Sequence, residues 1–136
     1  IQETLDKTNL EDWMVGSSIN LERCMKADGR FDGHIVQGHV DCVAKCIDIE
    51  DLNGSWKFTF DHNEKTHKTV EKGSVTINGT SLTVVDSSAQ SFSVCIIPYT
   101  YEHTNFKDFR VGTKVNIELS CLGLTSLVAL PRSALG

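Results

Sequence analysis

The sequence predicts an all-β domain, either a sandwich or a small barrel. Three observations carry this. Apolar and polar residues alternate at a period of two in five separate stretches. Turn-forming pairs fall between those stretches. Helical periodicity is sparse, so strands must build the core.

Taken in order, Trp56, Phe58 and Phe60 alternate with Lys57 and Thr59. Val75 and Ile77 follow, then Leu82 and Val84. Phe92 and Val94 lead into the apolar run Cys95-Ile96-Ile97, and Val115, Ile117 and Leu119 close the series. Each reads as a strand with one buried face. Turns are expected at Asn53-Gly54, Asn78-Gly79, Asp86-Ser87-Ser88 and Val111-Gly112. Asn-Gly is the strongest of these, because a type I′ hairpin needs positive φ at both central residues. Thr66–Glu71 and Glu102–Phe109 are each expected to form a turn or two of helix.

The chain has 136 residues, of which 40% are hydrophobic and 23% charged. That suits one globular domain with a real core. A net charge of −5 argues against a nucleic-acid groove. Five cysteines without a CxxC pair point to reduced thiols in an intracellular protein. No stretch is long and apolar enough to span a membrane, and no secretory signal stands at the N-terminus.

An internal repeat organises the rest. Residues 3–24, ETLDKTNLEDWMVGSSINLERC, align without gaps with residues 99–120, YTYEHTNFKDFRVGTKVNIELS, at an offset of 96. Eight of the 22 positions are identical, where chance gives about one or two. The competing reading is a chance match of turn-rich segments. Duplication makes residues 25–121 one complete unit and residues 1–24 the last segment of a preceding one, so that the chain starts in mid-strand at Ile1. Residues 122–136 form an atypical tail: exposed, used in assembly, or not native sequence.

Three stretches could carry chemistry. Residues 33–41, GHIVQGHVD, hold His34 and His39. In a strand, a separation of five puts the two rings on opposite faces. No second cluster has ligand spacing, so no metal is expected. His39, after Gly38, could carry a proton or simply hold structure. Residues 72–84, KGSVTINGTSLTV, put Ser81 and Thr83 on one face of a strand, where two hydroxyls can grip a heterocycle or merely face solvent. In CIIPYTYEHT, residues 95–104, Pro98 ends a strand and frees backbone groups, for a flat ligand or for a corner. No GxSxG elbow, GxGxxG or phosphate loop is present.

In this order, inside a duplicated unit, these stretches resemble the riboflavin synthase family of the alpha-chain type. That family's second unit carries a GHxxxGHVD-like start, here residues 33–41. It carries Lys-Gly before an (N/D)GxSLTV hairpin, here Lys72-Gly73 and Asn78–Val84. It carries IPxTxxxT and then VGxxVNIE, here Ile97–Thr104 and Val111–Glu118. The resemblance runs from residue 1 to about residue 120.

The resemblance implies a six-stranded antiparallel Greek-key barrel for each unit, residues 1–24 ending a first lumazine-binding barrel and residues 25–121 forming the second. It implies a cofactor-independent transfer of four carbons between two molecules of 6,7-dimethyl-8-ribityllumazine, giving riboflavin and 5-amino-6-(D-ribitylamino)uracil. It implies a homotrimer in the full-length protein, lumazine synthase as a further partner, and a cytoplasmic location, or a plastid one in a plant. The alternative is a non-catalytic lumazine or flavin carrier of the same family.

By the same resemblance Gly38, His39 and Val40 would line the second-barrel pocket, and Lys72 would reach a ligand hydroxyl or carbonyl. Ser81, Leu82 and Thr83 would contact the pteridine or its ribityl chain. Cys95, Ile96, Ile97, Pro98, Tyr99 and Thr100 would clamp the ring through backbone groups, Thr100 also through its hydroxyl. Ile1, Gln2, Glu3 and Thr4 would form the rim of the first-barrel site. His39 and Ser81 are the residues expected to assist catalysis, while His34 is expected to be structural or an inter-barrel contact. Three positions depart from the family pattern: Tyr99 replaces the usual Glu, His103 precedes the following Thr, and Ser120 replaces a common acidic residue.

Overall fold

The computed structural model describes residues 1–62 and 69–120. Six antiparallel strands close into a barrel: β1 Cys42–Asp51, β2 Trp56–Asp61, β3 Ser74–Ile77, β4 Thr80–Ser87, β5 Ser91–Ile96 and β6 Lys114–Leu119. The order around the barrel is β1-β2-β5-β4-β3-β6, a Greek-key path. Closure leaves no strand edge unpaired within this set.

Alternation fills the interior. Phe58 and Phe60 from β2, Val75 and Ile77 from β3, Val84 from β4, Phe92, Val94 and Ile96 from β5, and Val115 and Ile117 from β6 are all buried. Burial of each large apolar side chain stabilises the fold by about 1.5–3 kcal/mol. Phe106 and Phe109 plug one end of the barrel and meet Phe58 edge-on at 5.2 and 6.0 Å between ring centroids. The β3–β4 turn has φ of 46° at Asn78 and 81° at Gly79, both positive as the hairpin reading requires.

The repeat is visible in three dimensions. Helix α1, Gln2–Lys7, leads through Thr8 to a single 3-10 turn at Asn9–Asp12. Helix α2, Pro98–His103, leads through Thr104 to the same turn at Asn105–Asp108. Thr8 Oγ1 donates to the Thr4 carbonyl and Thr104 Oγ1 to the Thr100 carbonyl, both at 2.6 Å. Gly16 and Gly112 share a φ of 98°. The two segments also exchange contacts. The Asn9 N–H donates to Asn116 Oδ1 at 2.7 Å, and the Asn105 N–H to Asn20 Oδ1 at 2.8 Å. Asn9 Nδ2 reaches the Lys114 carbonyl and Asn105 Nδ2 the Ser18 carbonyl. Such reciprocity is what a two-fold relation between like units produces.

Several expectations are corrected. The start of the chain is helical at Gln2–Lys7, not mid-strand. Residues 33–41 form no strand; β1 begins just after them, at Cys42. The helical turn expected at Glu102–Phe109 is a helix at Pro98–His103 followed by the 3-10 turn. Proline fixes φ and lacks an N–H, so it opens a helix readily and sits here at its first position. Of the turn expected at Thr66–Glu71, the first residues lie outside the described ones, as does the tail at 122–136. No helix among the described residues is long and apolar enough to cross a membrane.

Candidate functional site

The site is built on the outside of the barrel. Val75 and Ile77 face the core, so Thr76 between them points outward. Thr76 pairs across the sheet with Ser81 of β4 on one side and Glu118 of β6 on the other. These three side chains form a polar row. Thr76 is nonetheless only 3% exposed, because the segment 33–41 crosses over it.

That crossing is fastened residue by residue. A Cβ added at Gly33 would lie 2.6 Å from Ser81 Oγ, so only glycine lets the backbone come this close. The His34 N–H points to Ser81 Oγ at 3.3 Å, and His34 Nδ1 lies 2.7 Å from the same oxygen. His34 Nε2 lies 3.1 Å from Thr76 Oγ1. One tautomer satisfies all three contacts: Nε2–H donates to Thr76, and Nδ1 accepts the Ser81 hydroxyl proton. Burial lowers the pKa of His34 below its ordinary value, against an opposing pull from the Glu118 charge. The ring is therefore neutral near neutral pH and able to accept that proton.

Farther along, the Glu118 carboxylate accepts the N–H of Gln37 at 2.6 Å and of His39 at 2.8 Å. Asp41 finishes the attachment: its N–H donates to the Ile117 carbonyl, and its carboxylate accepts the Leu119 N–H at 2.7 Å. The His39 ring is exposed, with Nδ1 3.2 Å from the Gln37 carbonyl. A carbonyl only accepts, so Nδ1 carries the proton and Nε2 presents its lone pair outward.

Beside this segment is a cavity of about 190 Å³. Val36, Gly38, Val40, Thr76 and Glu118 line it, together with Asn9, Trp13, Ile19 and Asn20. Its lining also includes the amides of Asn78, Asn105 and Asn116, and Trp13 and Ile19 are the repeat counterparts of the buried Phe109 and Val115.

The structure gathers some of the expected residues and separates others. Gly38 and Val40 line the cavity, and Ser81 lies at the other end of the same crossing. Thr83 is exposed on β4, and Leu82 packs against the core. Lys72 is an exposed turn residue with φ of 63°, its N–H bonded to the Val84 carbonyl. The backbone clamp expected over residues 95–100 meets a different backbone. Cys95 and Ile96 end β5, Ile96 inside the core, and Pro98, Tyr99 and Thr100 are helical. The carbonyls of Ile97, Tyr99 and Thr100 are taken by Tyr101 N–H, His103 Nδ1 and Thr104 Oγ1. Ile1, Gln2, Glu3 and Thr4 sit in and before α1, whose own contacts are with the following 3-10 turn.

Thr76 and Glu118 carry no individual signal in the sequence, and His34 reads there only as a structural or inter-barrel residue. His34 was assigned the face away from the site because residues 33–41 were treated as a strand. The Glu118 signal was present, since VNIE repeats INLE, but its target was not. Among the described residues, no group of three or more His, Cys, Asp or Glu side chains could hold a metal ion. Burial pushes the Cys46 thiol up to about 11, which makes it a core residue rather than a nucleophile.

Known proteins resemble this chain in sequence and in fold. The chain is 42% identical to the riboflavin synthase of Actinobacillus pleuropneumoniae over 124 residues, covering 90% of this chain and 58% of that protein. It is 40% identical to the riboflavin synthase of Bacillus subtilis (strain 168) over 122 residues, covering 89% and 57%. It thus spans less than two thirds of the length of these relatives. Among solved structures, LumP complexed with 6,7-dimethyl-8-(1'-D-ribityl) lumazine superposes with a TM-score of 0.77 at 19% identity, over 87% of this chain and 64% of that one. At that identity the likeness is one of fold. The lumazine binding domain matches residues 37–120, from the middle of the fastened crossing to the end of the barrel. On that match, and on a closed six-stranded barrel with its crossing held by the GHVD residues, the chain belongs to the lumazine-binding domain family.

Proposed function

We propose that this chain is the second lumazine-binding barrel of a riboflavin synthase, carrying at residues 1–24 the closing segment of the first. The observation that carries the reading is Ser81 Oγ held 2.7 Å from His34 Nδ1, at one end of a crossing whose other end lines the cavity. One molecule of 6,7-dimethyl-8-ribityllumazine binds against this crossing. The full-length protein is a homotrimer in which a first barrel brings the second lumazine.

The reaction needs a proton removed from the 7-methyl group of one lumazine and two flat rings held face to face. Orientation supplies much of the acceleration. His39 Nε2, with its lone pair free, and Ser81 Oγ, backed by His34, are the groups suited to moving the proton. Four carbons then pass to the second lumazine, yielding riboflavin and 5-amino-6-(D-ribitylamino)uracil, without a cofactor.

Residues 1–24 support the first-barrel assignment through their exposure. Trp13, Ile19 and Leu21 are 42%, 46% and 92% exposed, whereas their repeat counterparts Phe109, Val115 and Ile117 are 4%, 0% and 1% exposed. Among the described residues, residues 1–24 bury no side chain. The chain alone therefore binds one lumazine and turns it over slowly. Supplying a first barrel in trans should raise riboflavin formation; full activity of the chain alone would contradict this.

The carrier reading is favoured by one feature. Tyr99 stacks on His103 at 4.2 Å, where the family pattern has a carboxylate. Tight lumazine binding with no turnover after the first barrel is restored would select it.

A further inference from the structure

The crossing segment is fixed most firmly at a residue that the reaction scheme above does not use. Glu118 lies on β6, half-buried, with one carboxylate oxygen 2.6 Å from the Gln37 nitrogen and the other 2.8 Å from the His39 nitrogen. In an extended chain the amides of residues i and i+2 are about 6.6 Å apart, too far for one carboxylate. They converge here because Gly38, between them, has φ of 76°. A Cβ at Gly38 would meet nothing within 4 Å, so the glycine is needed for its backbone angle and not for space. Successive N–H groups turned inward by a left-handed residue form a concavity that holds an anion. The anion here is the protein's own carboxylate.

This bond pair does more than close the loop. It sets the backbone of His39 directly, and the Gln37 carbonyl, set by the same pair, fixes the His39 ring through Nδ1. We infer that Glu118 is a positioning residue, whose carboxylate clamps the Gln37 and His39 amides and so aims His39 Nε2 at the ligand. Both Glu118 carboxylate oxygens stay engaged with the two backbone amides, although the residue also lines the cavity. The inference rests on the proposed lumazine site for its functional consequence. The clamp stands on geometry alone.

A graded series tests it in the full 136-residue chain. Glu118→Gln keeps one carbonyl acceptor and places an amide donor against the other N–H; Glu118→Ala removes both acceptors. The first readout is the backbone amide resonances of Gln37 and His39. Both should move upfield from their carboxylate-bonded positions, more in Glu118→Ala than in Glu118→Gln, while the amides of β2 and β5 stay in place. The second readout is the fluorescence of 6,7-dimethyl-8-ribityllumazine. Affinity should fall roughly tenfold in Glu118→Ala, about 1.4 kcal/mol of binding free energy. The third is a double-mutant cycle. If Glu118 acts through His39, then His39→Ala costs much less affinity in the Glu118→Ala background than in the wild type. Fully additive losses would overturn the positioning role, as would unmoved amides. A wild-type chain that binds no lumazine would sink the proposed site instead, leaving the clamp to be judged on the amide shifts.

Discussion

Ser81 is held by a single histidine through two of its atoms, and that histidine is pressed down by a glycine. Gly33→Ala would set a methyl 2.6 Å from Ser81 Oγ, and either the serine or the segment must move. Overpacking of this kind costs about 1–3 kcal/mol. The expected outcome is loss of the His34–Ser81 contact with the barrel intact, seen as local amide shifts confined to residues near 33 and 81. His34 gives a pH signature. Its folded-state pKa is depressed by burial, so the unfolded chain binds its proton more readily. Stability is fully present above the ordinary pKa of about 6.5 and falls as pH drops from there through the folded-state value. Melting temperature measured against pH should show this loss, and His34→Gln should flatten it. A profile unchanged by His34→Gln would refute the assignment. Both histidines and Ser81 were legible in the sequence. Which histidine meets Ser81 was not, because residues 33–41 form no strand and only the folded barrel shows that Gly33 and His34 pack on Ser81 while Glu118 takes the amides of Gln37 and His39.

The strands with aromatic or branched alternation, β2 through β6, were readable because period-two burial leaves its mark in large side chains. β1 was not. Its inward residues are Cys42, Ala44 and Cys46, small side chains that give a weak apolar signal although all three are buried. The Asn78-Gly79 turn was legible from its two residues, and the structure supplies its energetics. Gly79 has φ of 81° with open space around it, so Gly79→Ala suffers backbone strain and no clash. Chemical denaturation should show a loss of roughly 1–2 kcal/mol. A neutral substitution would mean that the hairpin tip relaxes to another turn. Asn78 does a second task there, since its Oδ1 accepts the Asn116 N–H at 2.8 Å and its carbonyl accepts Asn20 Nδ2 at 2.9 Å. The pairing of α1 with α2 was anticipated as a repeat but not as helix, because six-residue helices are too short to show a period.

At the scale of the molecule, the described residues of the barrel share one core, and residues 1–24 bury no side chain. Matched substitutions make the contrast measurable. Ile117→Ala removes a side chain 1% exposed and should cost about 2–5 kcal/mol. Leu21→Ala, at the equivalent position of the repeat and 92% exposed, should change stability by no more than about 0.5 kcal/mol. Equal losses would mean that residues 1–24 are already packed in this chain and need no preceding barrel. The barrel itself was foreseeable from alternation and turns, and its Greek-key order from family resemblance; the outer-face site was not, since strand patterning reports what points inward. The segment 33–41, laid across the outside of the barrel and joined to Ser81, is the proposed seat of the lumazine. The most direct test is a fluorescence titration of the intact chain with 6,7-dimethyl-8-ribityllumazine, alongside Ser81→Ala and His39→Ala. Binding should saturate at one site per chain and be weakened by both substitutions, with the circular dichroism of the barrel unchanged. Saturable binding that neither substitution alters, or a folded chain that binds nothing, would contradict it.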